Sequence, residues 1–253
     1  MDVSLYPWIF KDDQRISTAD RDLLRRYLHD HNIVLEGHFK EALEDDNSLA
    51  WRYPAFAAKH FSSDPVLVKK LSLLCKIIGS NDNDIERHYQ NQLVEFHALY
   101  ACVALMGYRF DGWDKQSGKA GVDPKKDCDL ALIKDGQKAF SDVKDVSSEI
   151  LSLDEIPERP GLKFIDPKIE LAAWLKGQIR NVEKKGADFL ICHTPGWGLT
   201  SFDESIIKRW LDSILPSVLI WGKNGPRWPI KSKSVNQIVI IKRGGCFIIQ
   251  TGK

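Results

Sequence analysis

The amino-acid sequence predicts a mixed α/β (α+β) fold, with one mixed central sheet flanked by helices and an N-terminal helical region ahead of it. Two observations predict this. The hydrophobic period is helical up to residue 106 and strand-like from residue 107 onward. Two further helical stretches then interrupt the strand-like runs. From the long helix that ends at residue 106, the order is α-β-β-β-α-β-α-β-β, which suits a sheet with helices packed on it. The 253 residues allow one large domain, or a core with a helical appendage. The expected division is a helical region over 1–83 and a core over 84–253 that ends in a basic β-hairpin.

In the helical region, Ser17-Thr18 precede the amphipathic stretch "RDLLRRYLHD". Asp64-Pro65 form an N-cap and first-turn pair before "VLVKKLSLLCKII", which Gly79 closes. His29, His31 and His38 stand among charged residues and read as surface side chains. A long helix runs from Asp84 to Met106, with Gly107 just past its end. Its second half, "FHALYACVALM", is apolar all round and is expected at the centre of the fold. The strand-like runs are "GYRFDGW", "CDLALI", "KAFSDVKDV", "ADFLICHT", "SVLIW" and "NQIVIIKRGGCFIIQ". The interrupting helices are "KIELAAWLKGQIRNVEKK", ending at Gly186, and "SFDESIIKRWLDSIL", ending before Pro216.

Asp135-Gly136, between the second and third strands, signals a two-residue type I′ turn. That turn pairs Lys134 with Gln137, Ala131 with Phe140, and Asp129 with Asp142. Two carboxylates then stand about 5 Å apart at Cβ on one face, where like charges are destabilising. Lys144 joins that face, because residues two apart in a strand point the same way. Ala131, Ile133 and Phe140 make the face apolar, so the pair needs a counter-charge. A divalent cation supplies one, since Mg²⁺ is held by one or two carboxylates with phosphate oxygens and water. The pattern [DE]-x-K occurs four times in the chain, and only Asp142-Val143-Lys144 combines a strand with an acidic partner in register. Asp127 shares the face and competes with Asp129 for the same role.

Composition limits the function classes. Hydrophobic content is 43% and charged content 28%, ordinary for a globular protein. No apolar run reaches the ~20 residues of a membrane span, and "MDVSLYPWIFKDD" lacks the pattern of a secretory signal. The five cysteines are scattered and never in CxxC spacing, which predicts reduced, buried thiols in a cytoplasmic protein. There is no GxSxG elbow and no Walker A loop. Net charge is +1, yet no acidic residue follows Asp212, whereas Lys223, Arg227, Lys231, Lys233, Lys242, Arg243 and Lys253 do. That stretch, with Trp221 and Trp228, suits a polyanion or a lysine-protected hairpin edge.

These residues resemble the PD-(D/E)xK nuclease superfamily, the restriction-endonuclease-like fold. Its core has a helix carrying a glutamate, a three-stranded meander, then a helix and a further strand. The resemblance covers roughly residues 84–195. Asp129 matches the first acidic position, Asp142 the second, Lys144 the lysine, and Glu95 in "QNQLVEFHALY" the acidic residue of the helix. The chain departs from the pattern in having no proline immediately before Asp129. It also lacks the glutamine-tyrosine motif of the exonuclease-like branch near Lys176 and Gln178.

The resemblance implies a Mg²⁺-dependent endonuclease, with Mn²⁺ able to substitute. Asp129, Asp142 and Glu95 would be the metal ligands, helped by the Val143 carbonyl, and Lys144 the catalytic lysine. It implies DNA as the partner, although the charges do not separate DNA from RNA. A stand-alone restriction or phage-defence nuclease fits the size. Lys115, Lys119, Lys125 and Lys126 are expected near backbone phosphates. The helical region and the basic hairpin (Lys223, Arg227, Lys231, Lys233) would serve target recognition or homodimer contacts. The alternative is an inactive nuclease-fold module that binds nucleic acid or a protein. From the residues alone, Glu95 reads as a lone carboxylate at the buried half of its helix, which is costly unless neutralised or metal-bound. His193 reads as a core or strand-end residue, the alternative being a catalytic base in an unrelated hydrolase.

Overall fold

The computed structural model describes residues 3–7, 15–45, 48, 50–76, 83–145, 177–193, 220–222, 225–227, 237–242 and 245–250. The chain divides into two compact units. One contains residues 6–115 and 129–139 and is mostly helical. The other contains 1–5, 116–128 and 140–253 and holds a mixed sheet.

In the helical unit, α1 (Thr18–Asp30) begins at Ser17, whose backbone N–H donates to Asp20 Oδ2 at 2.8 Å in a capping box. After α2 (Gly37–Glu44) and α3 (Arg52–Phe61) comes α4 (Pro65–Lys76), capped by Asp64 Oδ1 accepting from Val66 N–H at 2.8 Å. The Gly79 stop lies outside the described residues. α5 (Asn83–Tyr100) continues into a π-helical turn, Ala101–Leu105, and Gly107 follows with φ +73°. Ala98 to Cys102 are fully buried, so the end of α5 is central, as its all-round apolarity predicts.

Aromatic rings fill the space between α3, α5 and β2 (Arg109–Lys115). Tyr53 stacks on His97 at 4.0 Å, Phe56 meets Tyr100 edge-on at 5.1 Å, and Phe110 meets Trp113 at 4.6 Å. His31 stacks on Tyr27, while His29 and His38 are exposed beside Asp30 and Glu41. β3 (Cys128–Lys134) ends at the turn where Asp135 has φ +52° and Gly136 φ +76°. Positive φ at both central residues is the type I′ geometry that Asp-Gly favours.

In the sheet unit, β4 (Gln137–Asp145) runs parallel to β5 (Phe189–His193), which runs parallel to β8 (Gln237–Lys242). β9 (Gly245–Gln250) is antiparallel to β8, so the sheet is mixed. β1 (Val3–Pro7) flanks β9. The sequence reading of this region as helical did not anticipate that strand. β6 (Ile220–Gly222) and β7 (Gly225–Arg227) form a separate antiparallel pair.

A helix over 177–185, here α6, leads into β5. Ala187 N–H donates to Val182 O and Gly186 N–H to Glu183 O, a Schellman end with Gly186 at φ +72°. Asp188 ties this end to β4: its N–H donates to Phe140 O at 2.7 Å, and its Oδ2 accepts from Phe140 N–H at 2.9 Å. The helix expected over "SFDESIIKRWLDSIL" lies outside the described residues.

Candidate active site

Asp142 sits in the carboxyl half of β4, in register with Leu190 of β5, and Lys144 is in register with Cys192. Leu190 and Cys192 are buried and apolar, and Asp142 itself is 0% exposed. A charged carboxylate there needs close partners. Two lysines supply them. The Lys144 ammonium lies 2.6 Å from Oδ2, an ion pair whose angle is not that of an aligned hydrogen bond. It also donates to the neighbouring Val143 carbonyl at 3.0 Å. The Lys185 ammonium, from the last residue of α6, donates to Oδ1. Burial alone would raise the Asp142 pKa. Lys144, and then Lys185, outweigh it and hold the carboxyl below its usual 3.8.

Lys185 was not among the site residues expected from the sequence: Glu183-Lys184-Lys185 is one of the four [DE]-x-K matches, and it reads there as a helix end. Its partner is 43 residues away, across a helix-to-strand crossover. A usable signal exists: a lysine immediately before the C′ glycine of the helix that follows the D-x-K strand. The segment 116–128 fixes this lysine's backbone. Its carbonyl accepts from Ser117 Oγ at 2.9 Å and Cys128 Sγ at 3.4 Å, and the Lys184 carbonyl accepts from Asp123 N–H at 3.1 Å. These bonds satisfy carbonyls that a helix end leaves open.

The other predicted residues fall as follows. Asp127 is exposed and Asp129 half-buried, so of the two Asp129 is the better shielded. Asp129 belongs to the helical unit and Asp142 to the sheet unit. Glu95, also in the helical unit, is not a lone carboxylate. The buried Lys70 of α4 donates to its Oε2 at 2.5 Å and to Asp114 Oδ1 at 3.1 Å. That pair accounts for the burial of Glu95 without a metal, which corrects the sequence reading. Lys119 is paired with Asp188 and lies 6.0 Å from the Phe140 ring centre. Lys115 is paired with Asp111 at 3.4 Å, and Lys125 and Lys126 are exposed in the turn begun by Asp123. Arg227 is in β7, and Lys223, Lys231 and Lys233 lie outside the described residues. His193 ends β5.

Oxygen donors at Asp142 and Val143 suit a hard cation such as Mg²⁺ by type. Among the described residues, no group of three or more His, Cys, Asp or Glu side chains is arranged to hold a metal. A cation at Asp142 would therefore draw on phosphate and water, as Mg²⁺ sites commonly do.

No family model, no curated protein and no solved structure matches the chain. No helix among the described residues is long and apolar enough to cross a membrane.

Proposed function

We propose that this chain is a Mg²⁺-dependent endonuclease that hydrolyses DNA phosphodiester bonds, of the restriction or phage-defence kind. The observation that carries the reading is the fully buried Asp142 carboxylate with Lys144 on the same strand face. It stands near the carboxyl end of β4 in the parallel run β4-β5-β8, where open α/β sheets bind ligands. The order α5, β2, β3, β4, α6, β5 agrees with the nuclease core that the sequence resembles.

In this reading Asp142 and the Val143 carbonyl hold the cation, and Asp129 enters as a second carboxylate only through the resemblance. Mg²⁺, or Mn²⁺ in its place, supplies the charge that polarises the phosphoryl group and lowers the pKa of a bound water. Lys144 orients that water or meets charge developing on the phosphate. Glu95 enters only through the resemblance, because Lys70 already neutralises it. Lys125 and Lys126 are exposed and suited to backbone phosphates.

The test is plasmid cleavage with Mg²⁺, Mn²⁺ or EDTA. Asp142→Ala and Lys144→Ala are each expected to lower the rate by about a hundredfold or more. Metal-independent cleavage, or full activity in both variants, would refute the reading. The second reading, a non-catalytic module that binds nucleic acid or a protein, is favoured by the ammonium groups at both Asp142 oxygens. It predicts DNA retention in a mobility-shift assay that is indifferent to Mn²⁺ and to Asp142→Ala.

A further inference from the structure

Asp188 is a carboxylate that neither the sequence reading nor the proposed chemistry employs, and it joins three parts of the sheet unit. It stands between the Schellman end of α6 and the first residue of β5, one step before the ladder that pairs Ser141 with Phe189 and Asp142 with Leu190. There its backbone N–H donates to the Phe140 carbonyl at 2.7 Å, and its Oδ2 accepts from the Phe140 N–H at 2.9 Å. Both main-chain groups of Phe140 therefore end on one residue, two positions before Asp142. The other oxygen, Oδ1, accepts from the Lys119 ammonium of the segment 116–128. One carboxylate thus ties a loop lysine to the backbone of the strand that carries Asp142 and Lys144.

Strand alternation tells which side of the sheet this is. Phe140, Asp142 and Lys144 project from the same face of β4. The Lys119 ammonium lies 6.0 Å from the centre of the Phe140 ring, so it stands on that face too. Same-face neighbours are roughly 7 Å apart along a strand, which puts Lys119 one side chain along from the buried carboxylate. The Lys119 side chain is 37% exposed, open enough to meet a solvated anion. Ordering a lysine side chain costs entropy, and Asp188 meets that cost before a ligand arrives.

We infer that Asp188 is a positioning residue: it holds Lys119 on the Asp142–Lys144 face of β4, where the ammonium contacts a backbone phosphate of DNA. This rests on the nuclease reading for its choice of DNA, and it adds a carboxylate that strengthens binding of a polyanion. The sign of the effect is diagnostic. An acidic side chain near a DNA path ordinarily repels phosphates, so neutralising it tightens binding. One that orients a phosphate-binding lysine does the reverse.

The experiment measures binding of a fluorescein-labelled DNA duplex to the purified full chain by anisotropy, in EDTA and between about 50 and 200 mM salt. The proteins compared are wild type, Asp188→Asn, Lys119→Gln, Lys119→Arg and the double variant Asp188→Asn/Lys119→Gln. Asp188→Asn keeps an oxygen for the Phe140 N–H and gives up the ion pair. It is expected to weaken binding about threefold to fivefold, although it removes a negative charge. Lys119→Gln should weaken binding by a similar factor and lower the slope of log affinity against log salt by about one. The double variant should bind no more weakly than Lys119→Gln, because both changes remove the same contact. Lys119→Arg keeps charge and reach and should bind like wild type. Equal or tighter binding by Asp188→Asn, with wild type binding, overturns the inference and leaves the nuclease reading standing. Unchanged binding by Lys119→Gln does the same, and covers the case in which Asp188→Asn fails to fold. An additive loss in the double variant also overturns it, because Asp188 would then act through the strand alone. No binding by wild type across that range overturns the inference, while the nuclease reading stands or falls on plasmid cleavage.

Discussion

Lys70 shows how burial turns a surface residue type into a structural one. Desolvation works against its charge, but Glu95 and then Asp114 outweigh it and raise its pKa above the ordinary 10.5. A raised folded pKa means the stabilisation is complete below pH 10.5 and is lost as pH rises through the folded value. Lys70→Met leaves the Glu95 carboxylate in a poorly hydrated place and is expected to cost about 2–4 kcal/mol. Adding Glu95→Gln should recover part of that loss in urea denaturation. A Glu95→Gln change alone that proved neutral, with Lys70→Met neutral as well, would remove the pair from the stability account. At this scale the sequence was legible where partners are close in the chain. Asp142 and Lys144 are two apart, and strand periodicity alone puts them on one face. Lys70 and Lys185 were not legible, because each reaches its carboxylate from a separate helix, 25 and 43 residues away.

Among the described residues, three ends with their own signals agree with the sequence reading. The Asp64-Pro65 start of α4, the glycine after α5 and the Asp135-Gly136 turn all carry local chemistry that needs no tertiary context. β1 lacks such a signal: five residues ending in proline form a strand only because β9 is there to pair with. The π-helical turn at Ala101–Leu105 is equally silent, since a wide turn and an α-turn share one composition. Gly186 is the element end closest to the site. Its φ of +72° is disfavoured for any side chain, and a Cβ there would overlap Ser117 Oγ and Val122 Cγ1. Gly186→Ala is expected to destabilise the sheet unit by about 1–3 kcal/mol. Because Lys185 is its neighbour, the same change should weaken cleavage in the plasmid assay. An unchanged denaturation midpoint would mean that the Schellman end can relax without penalty.

For the molecule as a whole, the mixed α/β class was legible from the change of hydrophobic period, and so was the buried state of the four thiols among the described residues. Cys75, Cys102, Cys128 and Cys192 are all buried, and burial pushes the Cys75 and Cys192 thiols up to about 12. Native protein treated with Ellman's reagent should therefore titrate at most one of the five cysteines, and denatured protein all five. More than one fast thiol in the native state would contradict that burial. The division into units was not legible, because no composition shift marks it. The chain crosses between the units after Leu5, Lys115, Cys128 and Ala139. This interleaving has a consequence for biosynthesis. A chain made from its N-terminus has every residue of the helical unit once Ala139 has emerged, whereas the parallel ladder that backs Asp142 waits for Gln237. The helices can fold while the remaining strands are still being translated, and Asp142 gains its full setting only after β8 has emerged. A nascent chain cut short by a stalled ribosome would then carry the helices without the site.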